Sequence, residues 1–152
     1  MWPNRRLLDL LEIELPIIQA PMAGAGGSAL ATAVSKAGGL GSLPCAMLDE
    51  AQMRAEAGII RQQTANPFNM NFFCHTPVAA TAAQQAAWTA RLAPFYDEAG
   101  LDSRAVAPAP HRRAFDAEMC ALVEDIKPEV VSFHFGLPEP ALLDRVRATA
   151  AR

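Results

Sequence analysis

Apolar residues along this chain fall into two patterns. Short runs stand between turn residues: "LPIIQA" (15–20), "GLGSLP" (39–44), "PFNMNFF" (67–73) and "EVVSFHFG" (129–136). Runs of that length, bounded by proline and glycine and apolar almost throughout, predict parallel strands covered on both faces. Between them the apolar period becomes helical. Leu30, Ala33, Val34 and Ala37 follow Ser28, a candidate N-cap, and stop at Gly38 and Gly39. Asp49 and Glu50 open a second helix with Met53, Ala57 and Ile60 on one face, acidic residues being favoured at the positive end of the helix dipole. The alanine-rich stretch from Val78 to Glu98 predicts a third by propensity, and the prolines of "AVAPAPH" an extended loop after it. Phe115, Met119, Leu122, Val123 and Ile126 mark a fourth over 114–126, ending at Lys127 before Pro128. Leu142, Leu143 and Val146 face inward from a closing helix in 138–152.

Four strands alternating with helices make an α/β chain, either an open doubly wound sheet or part of a (β/α)₈ barrel. Both put functional groups where strands end. Those ends carry "APMAG", "SLPCA", "NFFCH" and "FHFG", which brings Asn71, His75 and His134 near a mouth. Strand alternation adds that if His134 faces the interior, Phe133 and Phe135 face the helices. Each histidine is equally compatible with a buried, satisfied side chain, and His111 lies in the proline-rich loop. Cys74 and His75 are neighbours on a strand and point to opposite faces, so a thiolate–imidazole pair is disfavoured. Cys45, Cys74 and Cys120 read as small buried hydrophobes.

Composition narrows the classes. A chain of 152 residues, 51% hydrophobic and 19% charged, fits one globular domain. The net charge of −3, without a basic stripe, argues against nucleic acid. Three widely spaced cysteines without a C-x-x-C pair predict a reduced, cytoplasmic protein without a zinc site. Asp9, Glu12 and Glu14 interrupt the apolar residues after Arg5 and Arg6, so no signal peptide or membrane span is expected. Gly24, Gly26 and Ala29 satisfy the loose dinucleotide fingerprint, and Asp49 stands at a suitable distance. That acidic residue should close the second strand, however, and "PCAML" intervenes. A tight turn in which an amide closely approaches a flat ring or a phosphate is the simpler expectation.

"PIIQAPMAGAGGSALATAVSKAGGLGSL", "PFNMNFFCHTP" and "VVSFHFGLP" together resemble the N-terminal motifs of the nitronate monooxygenases, formerly 2-nitropropane dioxygenases, over nearly the whole chain. The first run is shared with flavin-dependent enoyl-ACP reductases, while "VSFHFG" is more particular to the nitronate enzymes. The resemblance implies residues 1–152 as the N-terminal portion of one FMN-binding TIM-barrel domain. The backbone of Pro21, Met22 and Ala23 would line the isoalloxazine, Asn71 would hydrogen-bond to FMN, and His134 would stand near the flavin and substrate. It also implies oxidation of an alkyl nitronate with O₂ to a carbonyl compound and nitrite.

Several features depart from the family pattern. "GGS" replaces a common "TP" at 26–28, and the "EAGGHRG"-like motif that carries the family's catalytic base is absent. A full barrel has eight strand–helix units in about 250 residues and grips phosphate after its seventh and eighth strands. Four units would leave two open edges and an apolar sheet face, so the chain is expected to be part of a longer protein or to pair as a homo-oligomer, and to turn over little alone. The alternatives are a flavin-dependent enoyl reductase and a non-catalytic half-barrel acting as a structural or binding module.

Overall fold

The computed structural model describes residues 2–76, 80–102 and 112–152. In chain order the elements are α1 (Arg6–Leu11), α2 (Ser28–Lys36), β1 (Gly41–Pro44), α3 (Glu50–Gln63), β2 (Phe68–Phe73), α4 (Ala82–Glu98), α5 (Ala117–Ile126), β3 (Val130–His134) and α6 (Pro140–Ala148). They divide into two compact units, Met1–His75 with His111–Arg152, and Thr76–Pro110.

The first unit is built on a parallel sheet in the sequential order β1-β2-β3. Leu43 stands beside Met70, and Met70 beside Val131; one position along, Asn71 stands beside Ser132. Three strands form where four were expected. Residues 15–20 contribute a single parallel bridge, Ile18 to Leu40, in which the Gln19 N–H donates to the Leu40 carbonyl and the Leu40 N–H to that of Ile17, both at 2.9 Å. Pro16 and Pro21 lack an N–H and bracket this segment, which leaves too few donors for a longer ladder. At the opposite edge the Arg152 N–H donates to the Glu129 carbonyl and the Val131 N–H to that of Arg152, both at 3.0 Å, so the last residue lies beside β3.

One face of the sheet carries Leu43, Phe68, Met70 and Phe72, packed in a buried cluster with Ala31 of α2, Met53 and Ile60 of α3, Met119 and Val123 of α5 and Val146 of α6. The expected α3 begins as read: the Asp49 side chain accepts from the Gln52 N–H, and the Gln52 side chain from the Asp49 N–H. Two starts differ. Gly27 is the N-cap of α2, with Ser28 its first helical residue. Asp116 caps α5 by accepting from the N–H groups of Glu118 and Met119, which leaves Phe115 outside the helix. Its ring still joins the core, 5.0 Å from Phe72 and 5.1 Å from Phe133.

The other face was expected to be apolar, and the structure corrects this. Only its lower end is so, where Leu40 and Val130 cluster with Leu8, Leu11 and Ile13 of α1 and the turn after it. Above them runs a buried polar belt of Gln19, Ser42, Asn69 and Asn71, with half-buried Ser132. The reason is strand alternation: the residues between the apolar ones of β2 are asparagines.

In the second unit, α4 starts with a capping box between Thr81 and Gln84, contains Pro94, and buries none of its residues. Residues 77–79, where this helix was expected to begin, and 103–111, with His111 and its prolines, lie outside the described residues.

Candidate functional site at the carboxyl end of the sheet

Parallel strands discharge into loops at one end, so the last inward side chains and the first loop residues are what a ligand there would meet. On the face opposite the main core β2 presents Asn69, Asn71 and Phe73, and β3 sets Val130, Ser132 and His134 beside them. Asn71 and His134 therefore share a face on neighbouring strands, one level apart, about 7 Å along the strand and 4.8 Å across.

Asn71 is 6% exposed. Its Nδ2 donates to Ser132 Oγ at 2.9 Å and to the Ser132 carbonyl at 3.3 Å, so that donor is already engaged with β3. Asn69 Nδ2 spans both neighbouring strands, donating to Ser42 Oγ at 3.1 Å and Ser132 Oγ at 2.9 Å, while its buried Oδ1 has no partner among the described residues. Gln19 extends the belt: its Nε2 donates to the Ser42 carbonyl at 3.2 Å and its Oε1 accepts from the Ser42 N–H at 3.1 Å. Sequence reasoning missed Gln19, Ser42, Asn69 and Ser132. The signal lay in the "N-x-N" period of two and in a serine two residues before His134.

Pro21, Met22 and Ala23 are exposed in a turn closed by the Ala25 and Gly26 N–H groups donating to the Met22 carbonyl, at 3.0 and 2.7 Å. Gly24, at φ +81°, allows that reversal. The bridge segment feeding the turn is two strand spacings from β2, about 10 Å, and three from β3. Pro21–Ala23, Asn71 and His134 thus belong to one end of the sheet on separate strands. Beyond the glycines the Ser28 N–H donates to Glu56 Oε2 at 2.7 Å. A carboxylate from α3 occupies the α2 N-terminus, the position a pyrophosphate would take, and this rules against the dinucleotide fingerprint.

His134 is exposed, and its ring lies 4.1 Å from that of Phe135 and 5.8 Å from that of Phe73, centroid to centroid. Phe133 turns to the helices as expected, but Phe135 does not. β3 stops at His134, and Phe135 adopts φ +68°, which breaks the alternation and leaves its side chain 61% exposed against Phe73. His75 completes the cluster, 6.2 Å from Phe73 and 6.4 Å from Phe135, with a buried Nδ1 that has no hydrogen-bond partner among the described residues.

Burial pushes the Cys45 thiol up to about 12, and raises those of Cys74 and Cys120. None of them is set up as a thiolate at neutral pH. For Cys45 the folded value lies above the ordinary one, so its contribution is intact below about pH 9 and is lost as pH rises toward 12. At pH 8 a charged aromatic disulfide reagent should react with half-buried Cys74 first and reach Cys45 and Cys120 only on unfolding. Rapid modification of all three in the native protein would contradict the packing. Among the described residues no group of three or more His, Cys, Asp or Glu side chains could hold a metal, and no helix is long and apolar enough to cross a membrane.

The nitronate monooxygenase family model matches residues 4–151. The chain belongs to that family of enzymes. It is 41% identical over 154 residues to a nitronate monooxygenase of Paraburkholderia phytofirmans, covering 98% of this chain and 41% of that protein. It is 40% identical over 151 residues to one of Pseudomonas aeruginosa, covering 96% and 41%. The structure of a nitroalkane oxidase from Streptomyces ansochromogenes is similar with a TM-score of 0.78 at 32% identity, over 95% of this chain and 40% of the other. FabK from Thermotoga maritima is similar at a TM-score of 0.63 and 26% identity, over 97% and 35%. The chain therefore spans about two-fifths of the length of the curated relatives it matches.

Proposed function

We propose that this chain forms the flavin-facing N-terminal part of a (β/α)₈ barrel whose complete form oxidises alkyl nitronates with O₂ to a carbonyl compound and nitrite. The observation that carries the proposal is Asn71 and His134 on one face of adjacent strands, at the sheet end where Pro21, Met22 and Ala23 are exposed. Sequential strand order, with α2, α3, α5 and α6 on one face and a polar belt above α1 on the other, supports the barrel.

A flavin ring fits what the chain offers there. The exposed residues Pro21, Met22, Ala23, His134 and Phe135 provide partly apolar contact surface. A phosphate is not provided for at the glycine turn, because Glu56 already accepts from the Ser28 N–H. Pro21–Ala23 would line the ring and His134 would stand between ring and substrate, where an imidazole can donate to or accept from a substrate oxygen. Asn71 would hydrogen-bond to FMN through its acceptor Oδ1, its Nδ2 being engaged by Ser132. When bound, FMN would supply the redox chemistry, taking electrons from the nitronate and passing them to O₂.

The test is a chimera joining this chain to the remaining portion of the Paraburkholderia phytofirmans relative, assayed with FMN. Nitrite release from an alkyl nitronate, lowered in His134→Gln more than flavin content is, is the expected result. NADPH consumption with an enoyl thioester and no nitrite would assign the fold to an enoyl reductase instead.

A further inference from the structure

We propose that Phe135 is the positioning residue of this site: its ring fixes the His134 imidazole at the mouth of the sheet. The role attributed to His134 rests on the flavin reading above, while the contact itself does not. Regular continuation of β3 would send residue 135 toward the helices beside Phe133. Phe135 instead takes φ +68°, ahead of Gly136 at φ +125°. In the left-handed region the Cβ of an L-residue crowds its own backbone, which glycine avoids altogether and asparagine tolerates best. Phenylalanine is disfavoured here twice, by its backbone conformation and by a ring left 61% exposed.

What the conformation achieves is contact with the neighbouring rings. The Phe135 centroid lies 4.1 Å from that of His134 at an interplanar angle of 81°, and 4.9 Å from that of Phe73 at 74°. Phe73 approaches His134 as well, at 5.8 Å. An imidazole at an exposed strand end is otherwise free to sample its staggered rotamers, and two flanking rings restrict that choice. Backbone strain beside a candidate reacting group is the pattern expected where side-chain geometry matters more than stability. Were Phe135 only apolar cover, removing it would lower stability and leave the imidazole as it was.

Phe135→Asn and Phe135→Gly relieve the backbone while deleting the ring, and Phe135→Tyr keeps the ring. Long-range ¹H–¹⁵N spectra of the unliganded protein, with His134 assigned through His134→Gln, read the imidazole directly, and thermal melts read the fold. The Asn and Gly variants should melt at or above the parent temperature, while their His134 resonances move to free-imidazole positions and no longer respond to FMN. Tyr should restore both the resonances and the response. Unchanged His134 resonances in the Asn and Gly variants would overturn the proposal, as would loss of folding in both. If FMN fails to bind the parent chain, the flavin reading falls, and the unliganded spectra still decide the positioning role.

Discussion

A Gly41→Ala substitution is expected to destabilise the first unit by about 3 kcal/mol or more. A Cβ at this position would lie 2.0 Å from the Ala31 carbonyl oxygen, 2.7 Å from its carbon and 2.7 Å from Ser35 Oγ. The obstacle is α2 backbone, which cannot swing aside as a side chain would. Ser35 fastens it there: Oγ accepts from the Gly41 N–H at 3.2 Å and donates to the Pro67 carbonyl at 2.8 Å. Relief requires lifting α2 from β1, which opens the core around buried Ala31 and Leu43 and disturbs the turn at Pro21–Ala23. Urea unfolding should show the loss as a lower midpoint. Gly58 is the control, because nothing lies within 4 Å of its added Cβ; there alanine should stabilise α3 by about 0.5–1 kcal/mol. A Gly41→Ala protein as stable as its parent would mean that α2 does not approach β1 so closely.

Asn69→Asp should be the second large effect, about 3 kcal/mol of destabilisation at pH 7. The change removes both Nδ2 donations, to Ser42 and Ser132, and puts a carboxylate at a position only 3% exposed. The two hydroxyls can rotate to donate to it, which softens the penalty, but a full charge still leaves water. Burial favours the neutral acid, so the carboxyl titrates higher in the folded protein than in the unfolded one. The variant is then closest to the parent below the unfolded carboxylate value, near pH 4, and falls behind as pH rises. Unfolding midpoints of both proteins across pH 4–7 check this, and a gap independent of pH would contradict the buried belt.

Legibility in the sequence followed the range of the interactions involved. β2 lies within one residue of its expected span because Pro67 and the apolar run are local signals, and α3 was announced by the acidic pair Asp49 and Glu50 at its start. The first expected strand failed because partners and donors decide pairing, and two prolines removed donors on either side of Ile18. Six-residue α1 was too short for its period to emerge. Asn71 and His134 could be placed near the carboxyl end of the sheet because each lies close to the end of an expected strand. Glu56 was not, since it meets Ser28 across 28 positions and no spacing rule connects them. The left-handed Phe135 was equally hidden, because phenylalanine carries no local preference for that conformation.

The most direct measurement is a flavin fluorescence titration of the purified chain with FMN and, separately, with riboflavin, beside a size-exclusion run. If this sheet end receives the ring while Glu56 denies the phosphate a place at α2, both ligands should saturate a defined species with similar affinity, and His134→Gln should weaken both alike. Binding of FMN alone would contradict that division, and binding of neither would deny this end of the sheet a flavin.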